Sequence, residues 1–148
     1  MRIYIGSDHA GFEMKRNLTA FLIENKFEVY DCGPKQYDHE DDYPDFVSIV
    51  ASSVSRDRDS MGIVMGWSGT GEEIVANRFP NVRCAMFYGG NKHILTLARQ
   101  HNDSNMLSLA AHFITTQEAK EAVLLWLKTP FSGEPRHMRR IKKIEQYD

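Results

Sequence analysis

A glycine-rich turn runs straight into acidic residues at Met65-Gly66-Trp67-Ser68-Gly69-Thr70-Gly71-Glu72-Glu73-Ile74, the chain's densest set of groups able to do chemistry. The apolar run Met61 to Met65 leads in, and the residues after Gly71 read as a helix. Glycines at 66, 69 and 71 allow a sharp turn and a close backbone approach to a ligand. Amides at the start of the following helix favour an anion or a developing oxyanion. Glu72 opens that helix. A carboxylate there commonly does no more than complement the helix dipole; beside an anion cradle it is also a candidate base. Ser68 and Thr70 add hydroxyls. No Gly-Lys-Ser/Thr follows, so this is not a nucleotide-triphosphate loop, and it does not follow the first strand as a dinucleotide fingerprint would. Ser68 has no evident base, and the Gly-x-Ser-x-Gly match fails at Thr70.

Three further clusters carry polar chemistry. Asp8-His9 follows an apolar stretch and suits sugar hydroxyls or phosphate, although Asp8 is equally able to cap the next helix. His101-Asn102 closes a helical stretch, where His suits the dipole and Asn the left-handed terminal position. Arg136 and Arg140 stand four residues apart on one helical face, with His137 between them. That spacing suits a clamp on a phosphate or a solvated basic tail.

The elements that must position these groups alternate. Strands are expected at Arg2 to Gly6, Phe27 to Asp31, Met61 to Met65, Val82 to Phe87 and Met106 to Leu109. Between them fall helical patterns: Met14, Leu18, Phe21, Leu22; then Phe46, Val50, Val54 after Pro44; then the segment after Gly71; then Ile94, Leu97, Ala98, His101. Helices at Thr116 to Leu127 and Arg136 to Ile144 finish the chain. This order predicts a parallel sheet covered by helices on both faces, with ligands outside the carboxyl ends of the strands. Helices in such a fold run antiparallel to the strands. His101, at a helix end, is therefore expected at the edge away from Glu72, and to reach a neighbouring subunit's site if it is catalytic.

At 148 residues, with 42% hydrophobic content, a single domain over 1–148 is expected. A net charge of -2 argues against nucleic-acid binding. No apolar run suggests a membrane span, and the start does not read as a signal peptide. Cys32 and Cys84 lack metal-ligand spacing, so no metal is expected and reduced thiols in a cytoplasm are the simplest reading.

Taken together the stretches resemble the ribose-5-phosphate isomerase B group, which includes the galactose-6-phosphate isomerase subunits. The matching pieces are Gly-Ser-Asp-His-Ala-Gly at 6–11, Asp-Tyr-Pro-Asp at 42–45, Ser-Gly-Thr-Gly at 68–71, Ala-Asn-Arg at 76–78, Arg-Gln-His-Asn-Asp at 99–103 and Arg-His-x-Arg-Arg at 136–140. The resemblance implies a Rossmann-like three-layer sandwich with a five-stranded parallel sheet and a C-terminal helix extending to a partner. It implies a homodimer or tetramer with shared sites, no cofactor, and aldose–ketose isomerisation of a phosphorylated sugar through a cis-enediolate. Many members carry a catalytic cysteine where this chain has Ser68; a second branch has serine there and a glutamate at the position of Glu72, which matches. By that resemblance Glu72 is the base, assisted by Ser68, Thr70 and the amides of Gly69 and Gly71. His101 assists ring opening, Asp8 and Asn102 hold sugar hydroxyls, Tyr43 lines the site, and His9, Arg136, His137 and Arg140 gather at the phosphate. One departure is His112, where the family usually has a phosphate-binding arginine; Trp67 is another. Isomerisation of ribose 5-phosphate and ribulose 5-phosphate is the leading expectation. The alternatives are a hexose 6-phosphate or unphosphorylated sugar as substrate, or a catalytically silent sugar-phosphate-binding protein.

Overall fold

The computed structural model describes residues 1–147; Asp148, the last residue of the expected single domain, lies outside the described residues. Five strands, β1 (Arg2–Ser7), β2 (Glu28–Asp31), β3 (Ser60–Gly66), β4 (Cys84–Phe87) and β5 (Met106–Ala110), alternate with α1 (Phe12–Glu24), α2 (Tyr43–Arg56), α3 (Thr70–Ala76) and α4 (His93–Asn102). Two more helices, α5 (Thr116–Lys128) and α6 (Pro135–Ile144), follow β5. All strand pairs are parallel, in the order β2-β1-β3-β5-β4. No described helix is long and apolar enough to cross a membrane.

Burial explains which strands are central. Every residue of β3 and of β5 is buried, as a parallel strand covered on both faces must be. Side chains alternate across the sheet. Ile3, Ile5, Ile63, Met65, Leu107 and Leu109 pack with α1 and α5 around Trp126 on one face. Tyr4, Val64 and Met106 pack with Val47, Val50 and Val54 of α2 and Ala76 of α3 on the other. This is a three-layer, Rossmann-like arrangement.

The chain order creates the place for a site. From β1 the chain steps outward to β2, then passes back over β1 to β3. The connections α1 and α2 therefore lie on opposite faces, and the carboxyl ends of β1 and β3 border an open crevice.

Several boundaries differ from expectation for local reasons. Val82 and Arg83 stand outside β4: the Val82 amide donates to the Phe79 carbonyl in a turn, and the Arg83 amide donates to the Asn105 side chain at 2.8 Å. Phe27 likewise precedes β2, its amide closing a turn onto Leu22. On α4 the expected stripe is not the buried one. Ile94 is 53% exposed, whereas Leu95 is 1% exposed and reaches the core. Asn102 is the last helical residue, and Asp103 takes the left-handed position with φ 46°. Asp103 is held there by Arg83 and Arg99, which bridge its carboxylate at 3.1 and 2.9 Å.

Leu107 lies at the sheet centre with no exposed surface. Leu107→Ala should lower unfolding free energy by about 2–5 kcal/mol, read as a lower urea midpoint with an unchanged slope.

Candidate active site

Glycine geometry places the carboxylate of Glu72. Gly69, with φ +76°, turns the chain from β3 into α3. The Ser108 hydroxyl on β5 donates to the Gly69 carbonyl at 2.7 Å and pins the turn to the sheet. A Cβ on Gly66 would lie 1.7 Å from Glu72 Oε1, so the carboxylate occupies the space a side chain would take at the end of β3. A Cβ on Gly71 would lie 2.7 Å from the Tyr43 ring, which the first turn of α2 lays over the loop. Only residues without side chains let carboxylate, phenol ring and turn converge.

Glu72 is 4% exposed. Burial pushes its carboxyl above the ordinary glutamate range, and the charge of nearby Asp8 adds in the same direction, against a lowering contribution from its own backbone N–H. A carboxyl poised upward is suited to trading protons near neutral pH. The Thr70 amide points to Ser68 Oγ at 3.3 Å, and the Thr70 hydroxyl is exposed and 3.7 Å from Met86 Sδ. Both hydroxyls thus stand at the mouth of the turn.

The end of β1 faces this loop. Asp8 Oδ1 accepts the amides of Ala10 and Gly11 at 3.0 and 3.2 Å, so it caps a short 3-10 turn as well as bordering the crevice. Burial raises its pKa, the two amides opposing. His9 is engaged by a residue that the sequence did not single out. Asp41 Oδ1 accepts the His9 amide at 2.9 Å and lies 2.6 Å from His9 Nδ1. That hydrogen bond raises the imidazole pKa. The only signal for Asp41 was its place in the acidic run after β2. Asp8, His9 and Asp41 each offer a ligand atom within 4.8 Å of the others. Asp41 Oδ1, engaged with both the backbone amide and the ring nitrogen of His9, fixes the orientation of that ring.

His112 belongs to the same edge. The Ala111 and His112 amides donate to the carbonyls of Gly66 and Trp67 at 2.9 and 3.1 Å, carrying the β3–β5 pairing past the strand ends. The His112 ring lies flat on the Trp67 indole, with centroids 3.7 Å apart.

The other candidates sit elsewhere. Arg83, just before β4, donates to the carbonyls of Asn102 and Asp103 at 3.2 and 2.9 Å, and Asn105 pairs with Arg83 ahead of β5. His101 and Asn102 therefore lie at the amino-terminal edge of the sheet, opposite Glu72. Ser132 joins Gln100 through its amide and hydroxyl, which brings the start of α6 to the end of α4. His137 then stacks on His101, while Arg136 and Arg140 remain exposed on α6. Arg136 Nε also donates to Glu134 at 2.7 Å. One chain thus carries two separate groups: Asp8, His9, Tyr43, Ser68–Glu72 and His112 at one edge, and His101, Asn102, Arg136, His137 and Arg140 at the other. Cavities of about 600 and 440 Å³ adjoin the second edge, and neither touches Glu72.

These features define an open α/β protein with a buried carboxylate at its topological switch point. The profile of the ribose/galactose isomerases matches residues 3–144. Ribose-5-phosphate isomerase B of Mycolicibacterium paratuberculosis is 42% identical over 148 residues, covering 100% of this chain and 92% of the relative. A crystal structure of ribose-5-phosphate isomerase B from Mycoplasma genitalium with bound ribulose 5-phosphate superimposes with a TM-score of 0.93 at 38% identity, covering 99% of this chain and 95% of that one. The Clostridium thermocellum isomerase gives a TM-score of 0.93 at 37% identity, with 99% and 97% covered. The chain belongs to the ribose/galactose isomerase family.

The raised pKa of Glu72 has a stability consequence. Folding favours the neutral acid, so this contribution is full below the unfolded-state pKa and is lost as pH rises through the folded-state value. Ionised Glu72 is then a net cost at neutral pH. Glu72→Gln should raise the melting temperature of the ligand-free protein at pH 7, and the gain should shrink toward pH 4. An equal or lower melting temperature at pH 7 contradicts the assignment of a destabilised carboxylate.

Proposed function

We propose that this chain interconverts ribose 5-phosphate and ribulose 5-phosphate, with Glu72 moving the proton between C1 and C2 through a cis-enediolate. The observation that carries the reading is the buried Glu72 carboxylate against Gly66, beside the turn at Gly69–Gly71. Glu72 takes the proton from C2 of the open aldose and returns it to C1, while the proton of the C2 hydroxyl passes to the C1 oxygen. The oxygen that gathers charge meets the turn amides and the hydroxyls of Ser68 and Thr70, the kind of fixed dipoles that stabilise an oxyanion. A proton passing between neighbouring carbons changes no overall oxidation state, so the step calls for no redox cofactor.

Substrate placement follows the two edges. Asp8 and Tyr43 border the sugar, and His9, held by Asp41, presents its free ring edge. Arg136 and Arg140 supply two exposed guanidinium groups for a phosphate, which binds such forks through charge-assisted pairs. His101 assists opening of the sugar ring, and Asn102 holds a hydroxyl. His112, flat on Trp67, forms part of the rim. The two groups complete one site when the amino edge of one protomer meets the carboxyl edge of its partner, so the working form is a homodimer or a larger assembly. The mycoplasma relative, which holds ribulose 5-phosphate, supports the substrate class. Cys32 and Cys84, both free thiols, suit a reducing cytoplasm.

Glu72→Gln should reduce turnover of ribose 5-phosphate by about 10²–10⁴, with an unchanged circular dichroism spectrum; a near-wild-type rate refutes Glu72 as the base. Mixing Glu72→Gln with His101→Ala subunits should restore part of the activity that each lacks alone. Absence of rescue, when subunit exchange is demonstrated by mass spectrometry, refutes the shared site.

A further inference from the structure

Asp41 and His9 meet across 32 positions of sequence. The Asp41 side chain is 8% exposed, and that of His9 is 34% exposed. Asp41 Oδ1 accepts the His9 amide at 2.9 Å and lies 2.6 Å from Nδ1. A carboxylate oxygen only accepts, so Nδ1 carries a hydrogen and donates it. Asp41 Oδ2 is shut off from solvent with no hydrogen-bond partner among the described residues, so the carboxylate is engaged through Oδ1, by His9. The loop is shaped for this contact. The Asp38 carbonyl accepts the Asp41 amide at 3.3 Å, and Asp38 Oδ1 accepts the Glu40 amide at 3.0 Å.

We propose that Asp41 is a positioning residue for substrate recognition: by committing Nδ1–H of His9 to itself, it makes the imidazolium the only form of that ring able to donate to the sugar phosphate. The proposal rests on the reading of a phosphorylated sugar as substrate, with His9 among the groups at its phosphate. An imidazole free to turn or to change tautomer could offer an N–H to an anion while neutral. This ring cannot. With Nδ1–H held by Asp41, a neutral His9 turns the Nε2 lone pair toward the phosphate, and only the cation presents Nε2–H.

The groups facing His9 favour that cation. Asp41 faces it from the loop ahead of α2, and Asp8 from the end of β1. The Tyr37 ring stands edge-on to it, with centroids 6.3 Å apart. The hydrogen bond to Asp41 lifts the His9 pKa above the ordinary imidazole range, burial opposes, and the charge of Asp8 adds to the rise. The donor is therefore present below the raised value and is lost as pH climbs through it. Asp41 thereby extends phosphate binding to higher pH, at an edge where Asp8 and Glu72 would otherwise repel a dianion.

Asp41→Asn tests this, because the amide keeps an oxygen for Nδ1–H and removes the charge. At pH 8 its KM for ribose 5-phosphate should exceed the wild-type value about fivefold or more, and inhibition by inorganic phosphate should weaken in parallel. At pH 6 both should return to within about twofold of wild type, with kcat within about twofold throughout, which also shows that the variant folds. Adding Asp41→Asn to His9→Ala should change KM no further, since the residue acts through the ring. A KM rise equal at both pH values, a loss confined to kcat, or a double variant weaker than His9→Ala overturns the proposal. Nitrogen NMR of the wild-type protein checks it without a substitution: His9 should carry hydrogen on both ring nitrogens when inorganic phosphate is bound, and a bare Nε2 overturns it. Failure of the underlying reading looks different: His9→Ala would then keep the wild-type KM.

Discussion

The carboxylate of Glu72 rests against the α-carbon of Gly66, in space that any other residue would fill with its own side chain. Much of the candidate site follows from that contact. It requires the backbone of β3 to end bare, the turn at Gly69 to be left-handed, and Tyr43 to close over Gly71 without a side chain in its way. It also withdraws the carboxylate from water, which raises its pKa and makes the ionised state a cost to the folded protein. Such a cost is tolerable because the central strands β3 and β5 are buried throughout and overdetermine the position. The same burial that destabilises the anion makes it a stronger base than an exposed glutamate.

Rigid positioning comes from the sheet. Residues of β3 and β5 face helices on both sides, and Ser108 ties the Gly69 turn to β5 by a hydrogen bond between buried groups. The flanking loops are tied as well. Lys15, 1% exposed, reaches the Asp31 carboxylate at 2.6 Å and the Pro34 carbonyl at 2.8 Å, anchoring the loop that later delivers Asp41 to His9. A buried ammonium satisfied by a carboxylate and a carbonyl fixes a geometry more than it adds stability. Asn77 acts similarly further along: its amide accepts the Cys84 N–H at 2.8 Å and donates to the Cys84 carbonyl at 3.1 Å, joining the end of α3 to the start of β4.

Some parts of this arrangement were legible in the sequence. The alternation of apolar runs with helical periodicities implied five parallel strands, and the glycines around Glu72 implied a tight turn. Residues engaged through distant partners were not. Asp41 sits in an exposed-looking acidic run, yet its contact lies 32 positions earlier, at His9. His112 read as a departure from the family's phosphate-binding arginine, and its stacking on Trp67 depends on pairing between strand ends that no local pattern records. The apolar stripe on α4 misled because Leu95, outside that stripe, is the side chain turned toward the core. His137 read as one of a basic cluster, although helix packing buries it under His101.

By itself the sequence determined the order of the elements and the identity of the turn that carries Glu72, because periodicity and glycine spacing act over a few residues, and its short motifs in order carried the family resemblance. Its antiparallel helices also placed His101 away from Glu72 before any coordinates. Only the tertiary structure decided which polar groups share an environment. The fold brought Asp41 to His9, Tyr43 to Gly71 and His137 to His101, and it buried Glu72 while leaving Arg136 and Arg140 in water. Burial and contact arise from packing between segments far apart in the chain, and proton affinity follows burial and contact.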